Sequence, residues 1–308
     1  MKILVTTSSF ARHDPAPLDL LTRKGYEVVL NPFHRTLTKE EAMRIYGDDI
    51  DGVIAGTEII DKDVLSNAGR LKVVSRCGTG MDNVDVDFAE ANGIKVFNTA
   101  DAPTDAVAEL AVGLMLSLLR GIPAADRRVR NGIWKKNMGS LLCEKTVGIV
   151  GLGRIGKKTA LLLKNLGARI VYYDPGAGSK SAEGFVESSM EGLLKEADIV
   201  SLHMSYSKEN RNLFDVKEFS LMKKTAFLVN VSRGGIVNEQ ALCRALKEER
   251  IAGAAFDVFG KEPYEGPLRE LDNVILTPHI GSYAKEARIK METKASENVL
   301  KGLTKKTE

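Results

Sequence analysis

Apolar residues along the chain fall into short runs rich in Val and Ile, separated by longer stretches in which apolar positions recur at helical spacing. In the first third the runs cover 2–6, 26–30, 52–56, 71–75 and 94–97, with amphipathic stretches such as 17–24 and 84–92 between them. Apolar strands alternating with helices predict a parallel sheet covered on both faces. The pattern breaks at 98–105, NTADAPTD, and a long apolar helix over 106–120 follows. A second alternating series then predicts strands at 146–150, 170–173, 199–202, 227–231, 253–256 and 274–276. Six strands suffice for a complete doubly wound sheet. A charged amphipathic helix from 283 closes the chain, too short for a domain, and is expected to pack back on the first series. The expected fold is therefore α/β, with two doubly wound parallel-sheet domains. One is discontinuous, 1–97 plus 283–308; the other, 98–282, is inserted into it, with a hinge near Asn98 and Ser282 that closes a cleft between them.

A length of 308 residues accommodates two domains. With 44% apolar and 28% charged residues, the composition excludes disordered, collagen-like and disulfide-scaffold classes. The formal charge is +3 and the basic residues are scattered, which argues against nucleic acid as a partner. Cys77, Cys143 and Cys243 are odd in number and widely spaced, as expected of reduced cytoplasmic thiols with neither a disulfide nor a metal site. The start, MKILVTTSSF, lacks the apolar region of about 7–15 residues that a secretory signal needs. The longest apolar stretch, 110–119, is about half of the roughly 20 residues that span a bilayer. It reads as a buried helix, and no membrane association is expected.

Gly151, Gly153 and Gly156 stand in G-x-G-x-x-G spacing directly after one predicted strand and directly before a helix. In that position the first glycine permits a tight turn and the second lets a pyrophosphate approach the backbone. The third allows close helix–strand packing, with the phosphates on the helix N-terminus. The next strand, IVYYD, ends in Asp174, about 20 residues on, where a carboxylate meets the adenosine ribose hydroxyls. An acid there repels a 2′-phosphate, and Pro175, Gly176 and Ala177 supply no Arg to bind one, so NAD is expected in preference to NADP.

Ligands of open α/β sheets sit beyond the carboxyl ends of the strands. Three consecutive strands deliver Arg233, Asp257 and His279 to that edge, and Glu262 lies in a Gly-Lys-Glu-Pro turn that could bring its carboxylate towards His279. Hydride transfer at a 2-hydroxy acid needs a guanidinium to hold the carboxylate and a titratable group to move the hydroxyl proton. Arg233 and His279 fit those roles. Glu262 would orient the imidazole and favour its protonated form, raising its pKa.

These segments, VGIVGLGRIGKKTA, DIVSLHMS, FLVNVSRGGIVNEQAL, AAFDVFGKEP and LTPHIGSYAKEA, resemble in order the NAD-dependent D-2-hydroxyacid dehydrogenases. The stretch 71–120 is similar to the phosphoglycerate dehydrogenase branch of that family. The resemblance implies a flavodoxin-like substrate domain and a Rossmann NAD-binding domain. It assigns catalysis to Arg233, Glu262 and His279, and the nicotinamide side of the cofactor to Asp257. Arg154 and Ile155 of the glycine loop, with Thr104, Val231, Ser232, His279 and Gly281, are the further implied cofactor contacts. The implied substrate loop is 75–83, where Arg76 adds charge and Gly78 and Gly80 free backbone N–H groups for an anion, with Cys77 and Thr79 between them. At Cys77 a partly buried thiol is favoured over an oxidation switch.

Met204, Ser205, Tyr206 and Ala284 depart from the usual family residues at positions bordering the cofactor. A regulatory C-terminal domain is not expected. The favoured substrate is 3-phosphoglycerate, with hydroxypyruvate, glyoxylate or another 2-oxo acid as the alternative. Glu262 counts against a formate-type reaction, and an NAD-sensing corepressor is the reading from a different class. Helix 110–119 is more apolar than a one-sided helix needs, and family members pair through the corresponding helix, so a homodimer is expected.

Overall fold

The computed structural model describes residues 1–176 and 184–304. The chain divides into two compact units, Met1–Pro103 with Ser282–Glu308, and Thr104–Gly281.

The first unit is built from β1 (Lys2–Val5), α1 (Ala16–Thr22), β2 (Glu27–Leu30), α2 (Lys39–Ile45), β3 (Gly52–Ala55), α3 (Lys62–Ser66), β4 (Val73–Arg76), α4 (Val86–Ala91) and β5 (Lys95–Asn98). The strands form one all-parallel sheet in the order β2-β1-β3-β4-β5. Side chains alternate across it, because successive strand residues point to opposite faces. Ile3, Val5, Ile54 and Val73 pack on one face with Leu21 and with Met291, Ala295 and Val299 of the terminal helix, Lys285–Leu303. Leu4, Val53, Ala55 and Val74 pack on the other with Ala42, Val64 and Ala89. Both faces are covered, so the central strands β1, β3 and β4 are buried almost throughout, whereas the edge strands β2 and β5 leave Glu27 and Lys95 exposed.

The second unit opens with α5 (Thr104–Arg120) and α6 (Ile122–Arg130). It continues with β6 (Thr146–Val150), α7 (Arg154–Asn165), β7 (Arg169–Tyr173), β8 (Val186–Glu187), α8 (Met190–Glu196), β9 (Ile199–Leu202), α9 (Val216–Leu221), β10 (Phe227–Asn230), α10 (Glu239–Lys247), β11 (Gly253–Phe256) and β12 (Val274–Leu276). The terminal helix of the first unit is α11. The sheet of this unit is again all parallel, in the order β12-β11-β10-β9-β6-β7-β8. Its order reverses between β6 and β9, the crevice in which doubly wound sheets bind ligands.

Against the six strands expected here, the sheet has a seventh, β8, whose two residues are too few to set up a period of two. The short helices α2, α3 and α9 escape periodicity in the same way but carry local start signals. Thr38 with Glu41 and Asp215 with Glu218 form capping boxes, and Asp61 caps α3. Much of the apolar surplus of α5 is taken up inside its own unit, where Ala111, Val112, Leu114, Met115 and Leu119 are buried. Among the described residues no single helix is long and apolar enough to cross a membrane, although α5 and α6 taken as a pair bent by 61° meet the length and composition.

Candidate active site

The glycine turn follows β6 directly. Gly151 has φ +92°, and a Cβ there would meet the carbonyl oxygen of His203 at 2.9 Å, so no other residue fits. A Cβ on Gly156 would run into the carbonyl oxygen of Gly151, which lets α7 lie flush against the turn. Gly153 is the N-cap of α7 and has only open space where a side chain would project. No side chain caps this helix, so its first N–H groups and the positive end of its dipole are left for a ligand. That uncapped cradle fits a pyrophosphate. Arg154 and Ile155 form the first turn of α7, and Thr104 begins α5 with a buried hydroxyl that has no hydrogen-bond partner.

Asp174 ends β7. One of its oxygens accepts from the Leu152 N–H at 2.7 Å and the other from Gly176 N–H at 2.8 Å, so the carboxylate also ties the glycine turn to the neighbouring strand. It lines an open pocket with Tyr173, Pro175, Glu187, Ser188 and Ser189. Glu187 is a second carboxylate that motif spacing did not signal, and none of these lining residues is a cation suited to a 2′-phosphate. Ala177 lies outside the described residues.

His203, at the end of β9, is enclosed beneath the turn. Burial pushes its imidazole down to about 3, so it is neutral at working pH. Its Nε2 pairs with Ser201 Oγ at 2.9 Å, while Nδ1 is buried without a partner.

Beyond β10, β11 and β12 lie Arg233, Glu262 and His279. The turn after β10 is organised by Asn230, a residue that sequence reasoning missed. Its Oδ1 accepts from Ser232 N–H and Oγ, and its Nδ2 donates to the Arg233 carbonyl at 3.1 Å. Val231 and Ser232 are buried beside it. His279 Nδ1 lies 2.7 Å from Glu262 Oε2, and Glu262 Oε1 accepts from the Phe259 N–H at 3.0 Å. Partial burial pushes the Glu262 carboxyl up. The His279 hydrogen bond and charge, the Phe259 N–H and the Arg233 charge outweigh that, and the group sits below its usual range.

His279 has φ +54°, a left-handed conformation uncommon for a residue with a side chain. Asp257, 1% exposed, holds it there: its carboxylate accepts from Thr277 Oγ1 at 2.6 Å and from the N–H groups of Ile280 and Gly281, both at 2.8 Å. Asp257, the residue implied on the nicotinamide side of the cofactor, thus has both oxygens bonded to residues flanking His279.

In the first unit Arg76 ends β4, donating to the Cys77 carbonyl and, through Nε, to Asn83 Oδ1 at 3.4 Å. The Gly78 N–H, expected to be free for an anion, instead donates to the Arg76 carbonyl at 3.0 Å. The guanidinium folds back over Gly78, where any Cβ would collide with it. Thr79 bonds to Ala100 and Asn98 and so fixes the far side of the loop, next to Gly80. Cys77 is buried, and burial pushes its thiol up to about 11, as suits a packed thiol. Among the described residues no cluster of His, Cys, Asp or Glu is arranged to hold a metal ion.

The model of the D-isomer specific 2-hydroxyacid dehydrogenase NAD-binding domain matches residues 112–281. The chain belongs to that family. It is 43% identical over 258 residues to a glyoxylate reductase of Thermococcus litoralis, covering 79% of this chain and 77% of the relative. It is 41% identical over 274 residues to a D-3-phosphoglycerate dehydrogenase of Methanocaldococcus jannaschii, covering 87% of this chain and 52% of that protein. The chain therefore spans about half the length of this phosphoglycerate dehydrogenase relative and most of the reductase. Among solved structures, the TT0316 protein of Thermus thermophilus superposes with a TM-score of 0.90 at 35% identity, covering 98% of this chain and 97% of that one. The second unit is thus the NAD-binding domain of a 2-hydroxyacid dehydrogenase.

Proposed function

We propose that the protein is an NAD-dependent oxidoreductase that interconverts a small D-2-hydroxy acid and its 2-oxo acid. The observation that carries this reading is the 2.7 Å contact between His279 and Glu262 at the strand edge of an NAD-binding domain. When bound, NADH supplies a hydride to C2. Arg233 presents a planar fork to the substrate carboxylate and orients it. Glu262 accepts the Nδ1 hydrogen of His279 and leaves Nε2 to give a proton to the C2 oxygen on reduction and to take it back on oxidation. The 1–97 and 283–308 segments act as the substrate domain, with Arg76 and Gly80 on its substrate loop. The 98–282 segment carries the cofactor through Gly151, Gly153, Gly156 and Asp174. The relatives' names support 3-phosphoglycerate, oxidised to phosphohydroxypyruvate, as one substrate and glyoxylate as another; hydroxypyruvate, a similarly small 2-oxo acid, stands beside glyoxylate.

The protein works in the cytoplasm as a homodimer. Its three thiols are free. Ile122, Val129, Ile133, Trp134, Met138 and Leu141 expose apolar surface along one segment, with Trp134 85% and Met138 100% exposed, which a second copy would cover. Sedimentation giving a 33.6 kDa monomer at micromolar concentration would reject the dimer. The activity is tested by an NADH-linked assay across a panel of 2-oxo acids. Turnover of at least one of them is expected, and turnover of none would reject the enzyme in favour of a binding protein.

A further inference from the structure

Two loops of the first unit, 6–15 after β1 and 77–85 after β4, share the carboxyl edge of its parallel sheet, with β3 between their strands. The second of them begins with Cys77, within the substrate loop of the reading above. The start of α11 reaches the same edge. Gly302, near the end of that helix, lies against Val73 at the start of β4, while Arg288 and Glu292, nearer its beginning, meet the loop after β1.

Arg288 and Glu292 stand one helical turn apart and are 6% and 2% exposed. Arg288 Nη2 donates to Glu292 Oε1 at 2.9 Å, yet the pair does not close on itself. The same Nη2 donates to Ser9 Oγ at 2.9 Å, and Glu292 Oε2 accepts from the Ala11 N–H at 2.9 Å. Each member therefore carries one bond out to the loop. Ala11 has φ +58°, a left-handed conformation that persists in a residue with a side chain only where its surroundings impose it. Between Ser9 and Ala11, Phe10 is buried in the apolar cluster that also holds Cys77 and Met291. The Arg288 charge acts on the Cys77 thiol as well, opposing the burial that raises it.

A buried ion pair is a weak way to hold a helix on a sheet. Taking both charges out of water is unfavourable, and apolar side chains of similar volume often give equal or greater stability. Met291, Ala295, Val299 and Leu303 already supply α11 with an apolar face against the sheet. Arg288 Nε, buried without a partner, adds to the cost, as does the left-handed Ala11. These unfavourable features meet at the rim, where the shape of a loop matters, so conformational specificity accounts for the pair better than stability does.

We propose that Arg288 and Glu292 are positioning residues that fix the loop after β1 and, through the cluster of Phe10 and Cys77, the start of the substrate loop, so that the 2-oxo acid meets a preformed site. This rests on the dehydrogenase reading above and on its substrate loop. The test replaces the pair by apolar residues, Arg288→Met with Glu292→Leu, and follows thermal unfolding, amide hydrogen exchange and steady-state kinetics with the preferred 2-oxo acid. The double variant should unfold no earlier than the wild type, while amides at 8–12 and 77–80 exchange faster. KM for the 2-oxo acid should rise about tenfold, with kcat within about threefold and NADH affinity unchanged, as when a preformed site is loosened without loss of a reacting group. Wild-type KM and exchange in a folded double variant, whatever its melting temperature, mean that the pair is structural and overturn the proposal while leaving the dehydrogenase reading intact. Turnover of no 2-oxo acid by the wild type removes that reading and the positioning role with it. Should the double variant not fold, Ser9→Ala removes only the guanidinium's bond to the loop: KM should rise about threefold at an unchanged melting temperature, and an unchanged KM overturns the proposal.

Discussion

The imidazole of His279 and the carboxylate of Glu262 meet at 2.7 Å, although the two residues lie on loops that follow different strands, β12 and β11. Parallel pairing of those strands brings both loops to the same edge of the sheet, so the contact follows from topology before any side-chain preference acts.

The Glu262 carboxyl sits below its usual range in the folded protein, so it binds its proton less readily there than in the unfolded chain. Its contribution to stability is therefore present above the ordinary carboxylate pKa and lost as pH falls through the lowered value. Thermal unfolding of wild type and Glu262→Gln should differ by a constant amount between pH 6 and 8, roughly where a free carboxyl is fully ionised. The two should converge below about pH 4. Superimposable unfolding profiles would contradict the pairing.

Asp257 fixes the conformation of the His279 loop. Asn at this position turns one acceptor towards the N–H of Ile280 or Gly281 into a donor, leaving a buried clash of hydrogens. The expected cost is about 1.5–3 kcal/mol, the scale of a buried hydrogen bond to a charged group. Thr277→Val removes one of the three bonds and should lower kcat less, without altering NADH affinity. Denaturant unfolding and initial rates read both effects, and a fully stable, fully active Asp257→Asn would contradict the role.

Asp174 should make NAD(H) the preferred cofactor, because its carboxylate and that of Glu187 line the pocket a 2′-phosphate would enter. Comparison of kcat/KM for NADH and NADPH tests this. Asp174→Ala should relax the preference and also loosen the glycine turn, since the Leu152 N–H loses its acceptor. Equal use of the two cofactors by the wild type would contradict it.

Cys77 should resist oxidation and alkylation. Burial raises its thiol to about 11, so the thiolate, the reactive form, is scarce below pH 9 and grows only as pH rises towards that value. Mass spectrometry after iodoacetamide treatment at pH 8 should find the exposed Cys143 modified well before Cys77. Preferential labelling of Cys77 would contradict this ordering.

Much of this site was legible in the sequence because its signals are local. Gly151, at φ +92°, and Gly156, against the backbone of the turn, are positions where only glycine fits, and their spacing records that. Arg233, Glu262 and His279 were legible because parallel strands deliver their following loops to one edge. Other residues act through partners distant in sequence. Asp257 bonds to residues some 20 positions on, Asn83 reaches the Glu58 carbonyl across 25 positions, and the Glu58 carboxylate finds Tyr46 at the C-cap of a helix too short to announce itself. The Gly78 N–H was misread because a glycine spacing says nothing about which carbonyl folds back to meet it.

His279 is the proposed proton donor, and the measurement that isolates it is the NADH-dependent reduction of the preferred 2-oxo acid by wild type and His279→Ala, with NADH affinity measured alongside. The wild type should turn over, and the variant should lose roughly 100-fold or more in kcat, the usual scale for a missing general acid, while binding NADH nearly as well. A His279→Ala protein that reduces that 2-oxo acid at close to the wild-type rate would contradict His279 as the proton donor.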